Sequence, residues 1–350
     1  MIEEILRQAK EAGASDVHIT VGVPPKMRVD GKLLTMDNYP KMLPPNTMEI
    51  VLEVMKPNQR EIFEERGEYD MSFSIPELGR YRVNAYKQRG SVAMAFRLVG
   101  TRIPSPEELH LPEAVIELYK KKRGLVLVTG PTGSGKSTTL ATIIDKINQN
   151  REAHVITLED PIEFLHSHNK SMVNQREIGL DSGTYASALR AALREDPDVI
   201  LVGEMRDFET ISVAITAAET GHLVLSTLHT IGAASTVDRI IDVFPPHQQD
   251  QIRVQLASVL ECVISQQLMP TADGRGRVAA FEVMHATAAI RNLIREGKSH
   301  QIDGMIQTSK KMGMQTMDDA LFELYLKHKI DGATCIEFAQ DPLVMQEKVY

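Results

Sequence analysis

Hydrophobic and polar positions follow one pattern over about the first 100 residues and a different pattern over the rest of the chain. Near the start, apolar residues recur on one side of a predicted amphipathic helix at 2–12. Further helices are predicted at 48–55 and 57–65. Short alternating segments predict half-buried strands at 26–29, 33–35, 71–75, 80–87 and 92–98, and Asp30-Gly31 between the first two is a hairpin signal. This first part is therefore predicted to be a small α+β domain.

Beyond the first part, continuous apolar runs alternate with helical patterns. The runs at 125–129, 155–158, 199–202 and 223–226 consist of apolar residues with at most one Ser or Thr each, which is typical of strands buried on both faces. The alternation predicts an α/β domain with a mostly parallel central sheet. From residue 286 the pattern is helical. Between the two parts, residues 101–112 contain Pro104, Pro106 and Pro112, and we interpret this stretch as a linker or hinge because proline removes backbone donors and disfavours helix.

Composition and charge exclude several classes of protein. With 350 residues the chain is long enough for two domains, and its two cysteines suggest neither a disulfide framework nor a metal site. We find no signal peptide and no apolar run of about 18 residues, so a cytoplasmic chain without a transmembrane segment is expected. The net charge of −8 and the aromatic content of 5% argue against a nucleic-acid partner, which would need basic grooves and stacking platforms.

The strongest motif is a glycine-rich loop at residues 130–137, GPTGSGKS, which fits G-x-x-x-x-G-K-[ST] at every fixed position. A predicted strand precedes it and a predicted helix follows. Such a loop turns successive backbone N–H groups toward an anion, and the helix N-terminus adds its positive dipole. We expect Lys136 to reach the β- and γ-phosphates of a nucleoside triphosphate and the Ser137 hydroxyl to bind Mg²⁺.

Acidic residues follow the next predicted strand in the segment Leu158-Glu159-Asp160-Pro161-Ile162-Glu163. Carboxylates at the carboxyl end of a strand beside a nucleotide are well placed to orient water. An equally good alternative is a helix start, because Asp160, Pro161 and Glu163 also have the spacing of a capping box.

Two further predicted strands are followed by residues that could contact the nucleotide or its metal ion. The apolar strand at 199–202 leads to Glu204, in the manner of a Walker B strand, and this carboxylate can hold Mg²⁺ through water. The strand at 223–226 is followed by His229, which can contact the γ-phosphate. The alternatives are a surface acid and an ordinary loop histidine.

Together and in this order, the motifs GPTGSGKST, ITLEDPIEF, DPDVILVGEMRD and STLHT resemble the Walker A, Asp-box, Walker B and His-box sequences of the secretion ATPases of type II systems and type IV pili. The resemblance extends to ASDVHI, PPKMRVDG and GRYRVNAY in the first domain. It implies an α/β chain with a small N-terminal α+β (PAS-like) domain at 1–98, a linker at 99–112, and a C-terminal RecA-like P-loop ATPase domain with C-terminal helices at 113–350.

The resemblance also implies roles for individual residues. Glu163 would be the catalytic glutamate that activates water, Glu204 the acid that holds Mg²⁺ with Ser137, and His229 the γ-phosphate sensor. Arginines of the N-terminal domain would act on the nucleotide of the neighbouring subunit, with Arg82 and Arg97 as the best candidates and Arg80 third. The expected nucleotide-binding residues are Thr132, Gly133, Ser134, Gly135, Lys136, Ser137 and Thr138.

Within this family, the chain is most similar to the ATPases that retract type IV pili. We expect it to be without the extra N-terminal domain of assembly and secretion ATPases, and its two cysteines cannot form their zinc-binding tetracysteine. It also contains the motif AIRNLIRE, associated with retraction, as Ala289, Ile290, Arg291, Asn292, Leu293, Ile294, Arg295 and Glu296. The same pattern describes an ordinary amphipathic helix, in which Arg291 and Arg295 share a face.

The function that the resemblance implies is ATP hydrolysis by a Mg²⁺-dependent homohexamer, with hinge motion that drives pilus retraction and twitching. The ring would act from the cytoplasmic face of the inner membrane on a pilus platform protein in that membrane. The alternatives are a pilus-assembly or type II secretion ATPase and, from another class, a RecA-like nucleic-acid motor or a nucleotide-gated scaffold without turnover.

Overall fold

A computed structural model describes residues 1–29, 31–100 and 102–350 of the protein. The chain forms two compact units, Met1–Thr101 and Arg102–Tyr350. The predicted linker at 99–112 includes Thr101 and the predicted hairpin turn includes Asp30, and these two residues lie outside the described part. The linker and its hinge role remain predictions.

The first unit is an antiparallel sheet with three helices among its described residues. Its helices are α1 (Ile2–Glu11), α2 (Pro44–Val54) and α3 (Pro57–Arg66), and its strands are β1 (Asp16–Ile19), β2 (Lys26–Val29), β3 (Lys32–Thr35), β4 (Glu68–Ile75), β5 (Gly79–Gln88) and β6 (Ser91–Leu98). The strand order is β3-β2-β1-β6-β5-β4, and every neighbouring pair is antiparallel.

The alternating sequence pattern decides which face of this sheet is buried. Along β5, Tyr81, Val83 and Ala85 are buried in the hydrophobic core of the first unit, whereas Arg80 and Arg82 lie on the other face. One buried and one polar face is the usual arrangement of an antiparallel sheet. The polar face of the first unit therefore carries the three candidate arginines, Arg80, Arg82 and Arg97.

The second unit is larger and mixes strands with helices. Its strands are β7 (Gly124–Thr129), β8 (His154–Glu159), β9 (Met172–Glu177), β10 (Val199–Val202), β11 (Leu223–Leu228), β12 (Leu260–Pro270) and β13 (Arg277–His285). Its helices are α4 (Glu113–Ile116), α5 (Lys136–Asn150), α6 (Tyr185–Ala192), α7 (Phe208–Glu219), α8 (Ala233–Asp242), α9 (Gln249–Val259), α10 (Ala288–Arg295), α11 (Ile302–Thr308), α12 (Met317–Leu326), α13 (Gly332–Glu337) and α14 (Pro342–Val349).

Residues 102–350, all of which are described, contain a seven-stranded sheet in the order β13-β12-β7-β11-β10-β8-β9. The pairs from β12 to β9 are parallel, and β13 is antiparallel to β12. Every residue of β7, β10 and β11 is buried, because hydrophobic clusters cover both faces of the sheet. This confirms the predicted fold class.

The parallel arrangement determines where polar residues can meet. The carboxyl ends of neighbouring parallel strands lie at the same edge of a sheet, and ligands of open α/β sheets bind outside that edge. The ends of β7, β11, β10 and β8 lead into the four motifs of the second unit. The topology therefore brings together segments that are about 100 residues apart in sequence.

Candidate nucleotide-binding site

The glycine-rich loop lies between β7 and α5 and is pressed against β12. A Cβ at Gly130, where φ is 139°, would lie 2.1 Å from the backbone oxygen of Gln266. A Cβ at Gly135, where φ is 91°, would lie 2.9 Å from Nε2 of the same residue. Only glycine combines these angles with so close an approach. Gln266 also accepts a hydrogen bond of 2.7 Å from the Thr139 hydroxyl, so it joins β12 to the helix that follows the loop.

The ammonium group of Lys136 lies inside the curve of this loop. Its Nζ donates to the backbone oxygens of Gly130 at 2.8 Å and Pro131 at 3.0 Å, and the residue is only 8% exposed. Burial lowers the pKa of the ammonium, while the carboxylates of Glu204 and Glu163 raise it. The loop therefore holds a positive charge where an anion would enter.

Several features of the loop fit a phosphate chain. The Oγ of Ser134 is buried and has no hydrogen-bond partner among the described residues. The 15-residue helix α5 starts at Lys136, and its first turn contains the partly buried Ser137 and Thr138. A helix N-terminus, an ammonium group and a buried hydroxyl without a partner are together suited to negatively charged oxygens.

Glu204 and His229 meet beside the lysine. The Nδ1 atom of His229 is 3.4 Å from Nζ of Lys136, and its Nε2 atom is 3.0 Å from Oε1 of Glu204. Because an ammonium only donates, Nδ1 accepts, and Nε2 carries the proton that it donates to Glu204. Arg206 donates from Nε to the same carboxylate oxygen. The ends of β7, β11 and β10 are thus joined by one line of polar contacts.

The Asp-box segment contains a partly buried glutamate and an exposed one. Glu159, at the end of β8, accepts from the Thr157 hydroxyl at 2.6 Å and from Nε2 of Gln175 at 3.1 Å. Burial raises the pKa of Glu159, and the carboxylate of Glu163 raises it further. Glu163 itself is exposed. The motif gives a role only to Glu163, although the acid at the end of β8 is Glu159.

The capping-box alternative for Glu163 is wrong, because residues 160–168 form no helix in the described structure. Side chains of the edge strand β9 form hydrogen bonds with the backbone groups of this segment instead. Glu177 accepts from the backbone N–H of Ile162 at 3.1 Å, and Gln175 donates to the backbone oxygen of Phe164 at 2.8 Å. The segment therefore needs no helix to satisfy its backbone.

Tyr185 is a site residue that no motif indicated. It opens α6, and a Cβ at Gly203 would lie 2.9 Å from its hydroxyl oxygen. Burial raises the pKa of this hydroxyl, and the carboxylates of Asp160, Glu204 and Glu159 raise it further. Tyr185 therefore offers a neutral hydroxyl between the ends of β8 and β10.

The three candidate arginines of the first unit lie on the polar face of its sheet. Arg82 of β5 is directly opposite Arg97 of β6, and both are exposed. Nε of Arg97 is 2.8 Å from Oδ1 of Asp16 on β1. Arg80 is half-buried two residues before Arg82 and shares its face. The cross-strand pairing places Arg82 beside Arg97, whose charge is partly neutralised by Asp16.

The motif AIRNLIRE forms α10, and its two arginines have different surroundings. Ile290 and Ile294 are buried in the core beneath the sheet. Arg291 donates to the backbone oxygens of Ala286 at 2.8 Å, Ala257 at 2.6 Å and Ser258 at 2.8 Å, and to Oε1 of Glu261 at 2.8 Å. Arg295 is exposed, and its hydrogen bond to Asn292 is long, at 3.4 Å. The shared face predicted from helical spacing does not give them a shared role.

A cleft of about 270 Å³ adjoins the loop and α5. Its walls come from the segment 108–110, from α5 and from the β12–β13 hairpin. The lining residues that bear on ligand binding are Gly135, Thr138, Gln266, Arg277, Phe281 and Lys329. The cleft is large enough for part of a small organic ligand that begins in the phosphate loop.

Two kinds of feature are absent from the described residues. No group of three or more His, Cys, Asp or Glu side chains there is arranged to hold a metal ion. In the same residues, no helix has both the length and the apolar character needed to cross a bilayer.

Comparison with known proteins gives consistent matches. The profile of the family described as type II/IV secretion system protein matches residues 1–326. The type IV pilus retraction ATPase PilT of Pseudomonas aeruginosa is 48% identical over 97% of this chain and 98% of its own length. A twitching motility protein of Neisseria gonorrhoeae is 51% identical over 86% of this chain and 80% of its own. The crystal structure of a pilus retraction motor PilT with bound ADP superposes with a TM-score of 0.91 at 50% identity, covering 97% of each chain.

Proposed function

Since the chain belongs to the family of type II/IV secretion system proteins, we propose that it is a hexameric ATPase motor that powers the retraction of type IV pili. The family assignment and the relatives named for retraction and twitching support this function, and they support ATP hydrolysis as the reaction.

The observation that carries the proposal is the polar line from Lys136 through His229 to Glu204 at the mouth of the phosphate loop. Lys136 opens the helix that follows β7, whereas His229 and Glu204 come directly after the neighbouring parallel strands β11 and β10. A charged lysine, a histidine with a defined tautomer and a carboxylate meet where the terminal phosphate of a nucleotide would lie. Such an arrangement can distinguish a triphosphate from a diphosphate.

The residues of this site have separate tasks in hydrolysis. Residues 132–138 hold the phosphates, with Lys136 facing the β- and γ-phosphates. Ser137 and Glu204 are the groups suited to hold Mg²⁺, which when bound neutralises charge on the phosphate oxygens. Glu163 activates the attacking water as a general base. His229 contacts the γ-phosphate and exchanges its proton-donating Nε2 contact with Glu204 for one with phosphate.

Two further elements complete the nucleotide site. The cleft beside Gly135 and Thr138 takes the nucleoside, whose phosphates then enter the loop. Arg82 and Arg97, with Arg80 in support, act on the nucleotide of the adjacent subunit in a homohexamer. An arginine supplied in trans ties hydrolysis to subunit contact because it stabilises charge on the transferred phosphoryl group.

The motor works at the cytoplasmic face of the inner membrane. Nucleotide binding and release move the two units about the linker at 99–112, which is a hinge of the kind that closes around ligands. The ring transmits this motion to a pilus platform protein in the membrane. The motif at 289–296 belongs to the retraction branch of the family.

The function is tested by deleting the gene in its host and complementing with the wild-type chain or with Lys136→Ala. We expect the deletion strain to carry more surface pili and to lose twitching, and only the wild-type chain to restore both. Bald cells would assign the chain to pilus assembly, and loss of a secreted enzyme with intact pili would assign it to type II secretion.

The purified chain provides an independent test. Its turnover of ATP should require Mg²⁺, disappear in Lys136→Ala, and stay unchanged when DNA or RNA is added. Stimulation by nucleic acid with strong salt dependence would instead favour a nucleic-acid motor.

A further inference from the structure

The loop that carries His229 ends in two backbone N–H groups that are fastened to a pair of facing side chains. The N–H of Gly232 donates to the Ser265 hydroxyl at 2.9 Å, and the N–H of Ala233 donates to Oε1 of Glu282 at 2.6 Å. Ser265 on β12 and Glu282 on β13 are directly opposite each other in the sheet. Residues 229–232 are therefore held at the point where α8 begins.

The same carboxylate also holds the C-terminal part of the chain. Oε2 of Glu282 accepts from the backbone N–H of Met317 at 3.3 Å, at the start of α12, and from Nε2 of Gln340 at 3.0 Å. The backbone N–H groups of Gln340 and Asp341 donate in turn to the two carboxylate oxygens of Asp318, at 2.7 and 3.1 Å. The junction between α13 and α14 is thus attached to Glu282.

The position of Glu282 makes these contacts interdependent. The residue is only 1% exposed, so a lost partner is not readily replaced by bulk water. Its two oxygens face the N-termini of α8 and α12, whose positive dipole ends favour a negative charge. One buried carboxylate therefore serves two helix starts and an amide side chain, and a shift of one partner disturbs the others.

From this geometry we propose that Glu282 is a positioning residue of the ATPase, which fixes the His229 loop and couples that loop to α12–α14. The inference rests on the proposed function, in which His229 contacts the γ-phosphate. Movement of His229 toward a triphosphate pulls on Gly232 and Ala233, and the shared carboxylate passes the displacement to Met317 and Gln340. The nucleotide state is thereby communicated to the C-terminal helices.

The first test compares turnover with ADP binding. Glu282→Gln keeps the shape of the side chain but removes its charge, which weakens the hydrogen bonds to both helix starts, and it leaves one of them facing a donor instead of an acceptor. We expect kcat to fall roughly tenfold or more, since small misplacements at an active site have effects of this size. ADP affinity should stay within about twofold, because the phosphate loop does not contact Glu282 and ADP has no γ-phosphate for His229. A parallel loss of ADP affinity and kcat would show a merely structural role and overturn the proposal, as would an unchanged kcat.

A double-mutant cycle tests whether Glu282 acts through His229. His229→Ala should lower kcat by itself, and Glu282→Gln should add less than about twofold in that background. Fully multiplicative effects would overturn the proposal. Wild-type turnover of His229→Ala would refute the role of His229 in the proposed function, a failure that is distinct from a result confined to Glu282. Should Glu282→Gln not fold, Ser265→Ala releases the same loop by removing the acceptor of the Gly232 N–H, with an expected loss of about threefold in kcat.

Hydrogen exchange of backbone amides tests the coupling to the C-terminal helices. In the wild-type chain, a non-hydrolysable ATP analogue should change exchange in residues 332–349 relative to ADP. The change should vanish in both Glu282→Gln and Gln340→Ala, whereas Gln340→Ala should keep kcat within about twofold because the Ala233 contact is intact. Equal exchange with both nucleotides in the wild-type chain, or a persistent difference in Glu282→Gln, would overturn the coupling.

Discussion

Replacing Arg291 should destabilise the second unit far more than replacing Arg295, although both belong to the motif AIRNLIRE. Arg291 donates four hydrogen bonds of 2.6–2.8 Å, three of them to backbone oxygens. Two of these oxygens, on Ala257 and Ser258, lie in the last turn of α9, where carbonyls lack helical partners. A hydrogen bond to a charged group contributes about 1.5–3 kcal/mol. The side chain is 21% exposed and water can replace part of these bonds, so we expect Arg291→Ala to cost about 3 kcal/mol in total.

The assay is thermal unfolding of the purified chain followed by circular dichroism. A loss of about 3 kcal/mol corresponds to a fall in the midpoint of roughly 6–12 °C for a unit of this size. Arg291→Lys cannot form the forked contacts and should recover less than half of the loss. Arg295→Ala is the matched control and should change the free energy of unfolding by less than about 0.5 kcal/mol, as expected for an exposed position. An Arg291→Ala chain that unfolds at the wild-type temperature would refute this reasoning, and so would an equally large effect of Arg295→Ala.

Three further predictions concern the catalytic machinery. Glu163→Gln should bind ATP normally and hydrolyse it about 10²–10⁴ times more slowly, with an unchanged unfolding midpoint, because no helix at that position depends on the side chain. Gly203→Ala should lower the free energy of unfolding by about 1–3 kcal/mol and should reduce turnover, because the new Cβ would lie 2.9 Å from the Tyr185 hydroxyl oxygen. Gly183→Ala is the matched control and should change neither quantity, because a Cβ there has open space. Mixing Arg82→Ala subunits with inactive Lys136→Ala subunits should restore part of the ATPase activity in mixed rings. If ATPase activity does not recover at any mixing ratio, although mass measurements verify that mixed rings form, the result would count against arginine action in trans.

The phosphate loop and the fold class were predictable because their signals are local. Residues 130–137 are contiguous, and the apolar runs before and after them identify buried parallel strands without any knowledge of tertiary contacts. The comparisons confirm the family that the motif order indicated.

Other features depend on contacts between distant parts of the chain, and the sequence alone could not resolve them. Asp160-Pro161-Ile162-Glu163 has the spacing of a helix start, but β9 satisfies its backbone from more than ten residues away. Helical spacing places Arg291 and Arg295 on one face of α10. Only Arg291 is observed to donate to backbone oxygens at the end of α9, some 30 residues earlier. Glu282 lies in a strand that looks like ordinary buried sheet, and its partners at 233, 317 and 340 give no local pattern.

Because only 8% of Lys136 is exposed, an amine-reactive reagent should acylate it among the last of the lysines of this chain. Lys298 and Lys327 are about half exposed or more and should be labelled early, although each is engaged by a glutamate. Burial also lowers the pKa of Lys136, so a larger share of its amine is in the reactive neutral form, and access rather than protonation limits its labelling. The rate at which this single lysine is acylated, read by mass spectrometry, would report how often the phosphate loop opens in the intact motor.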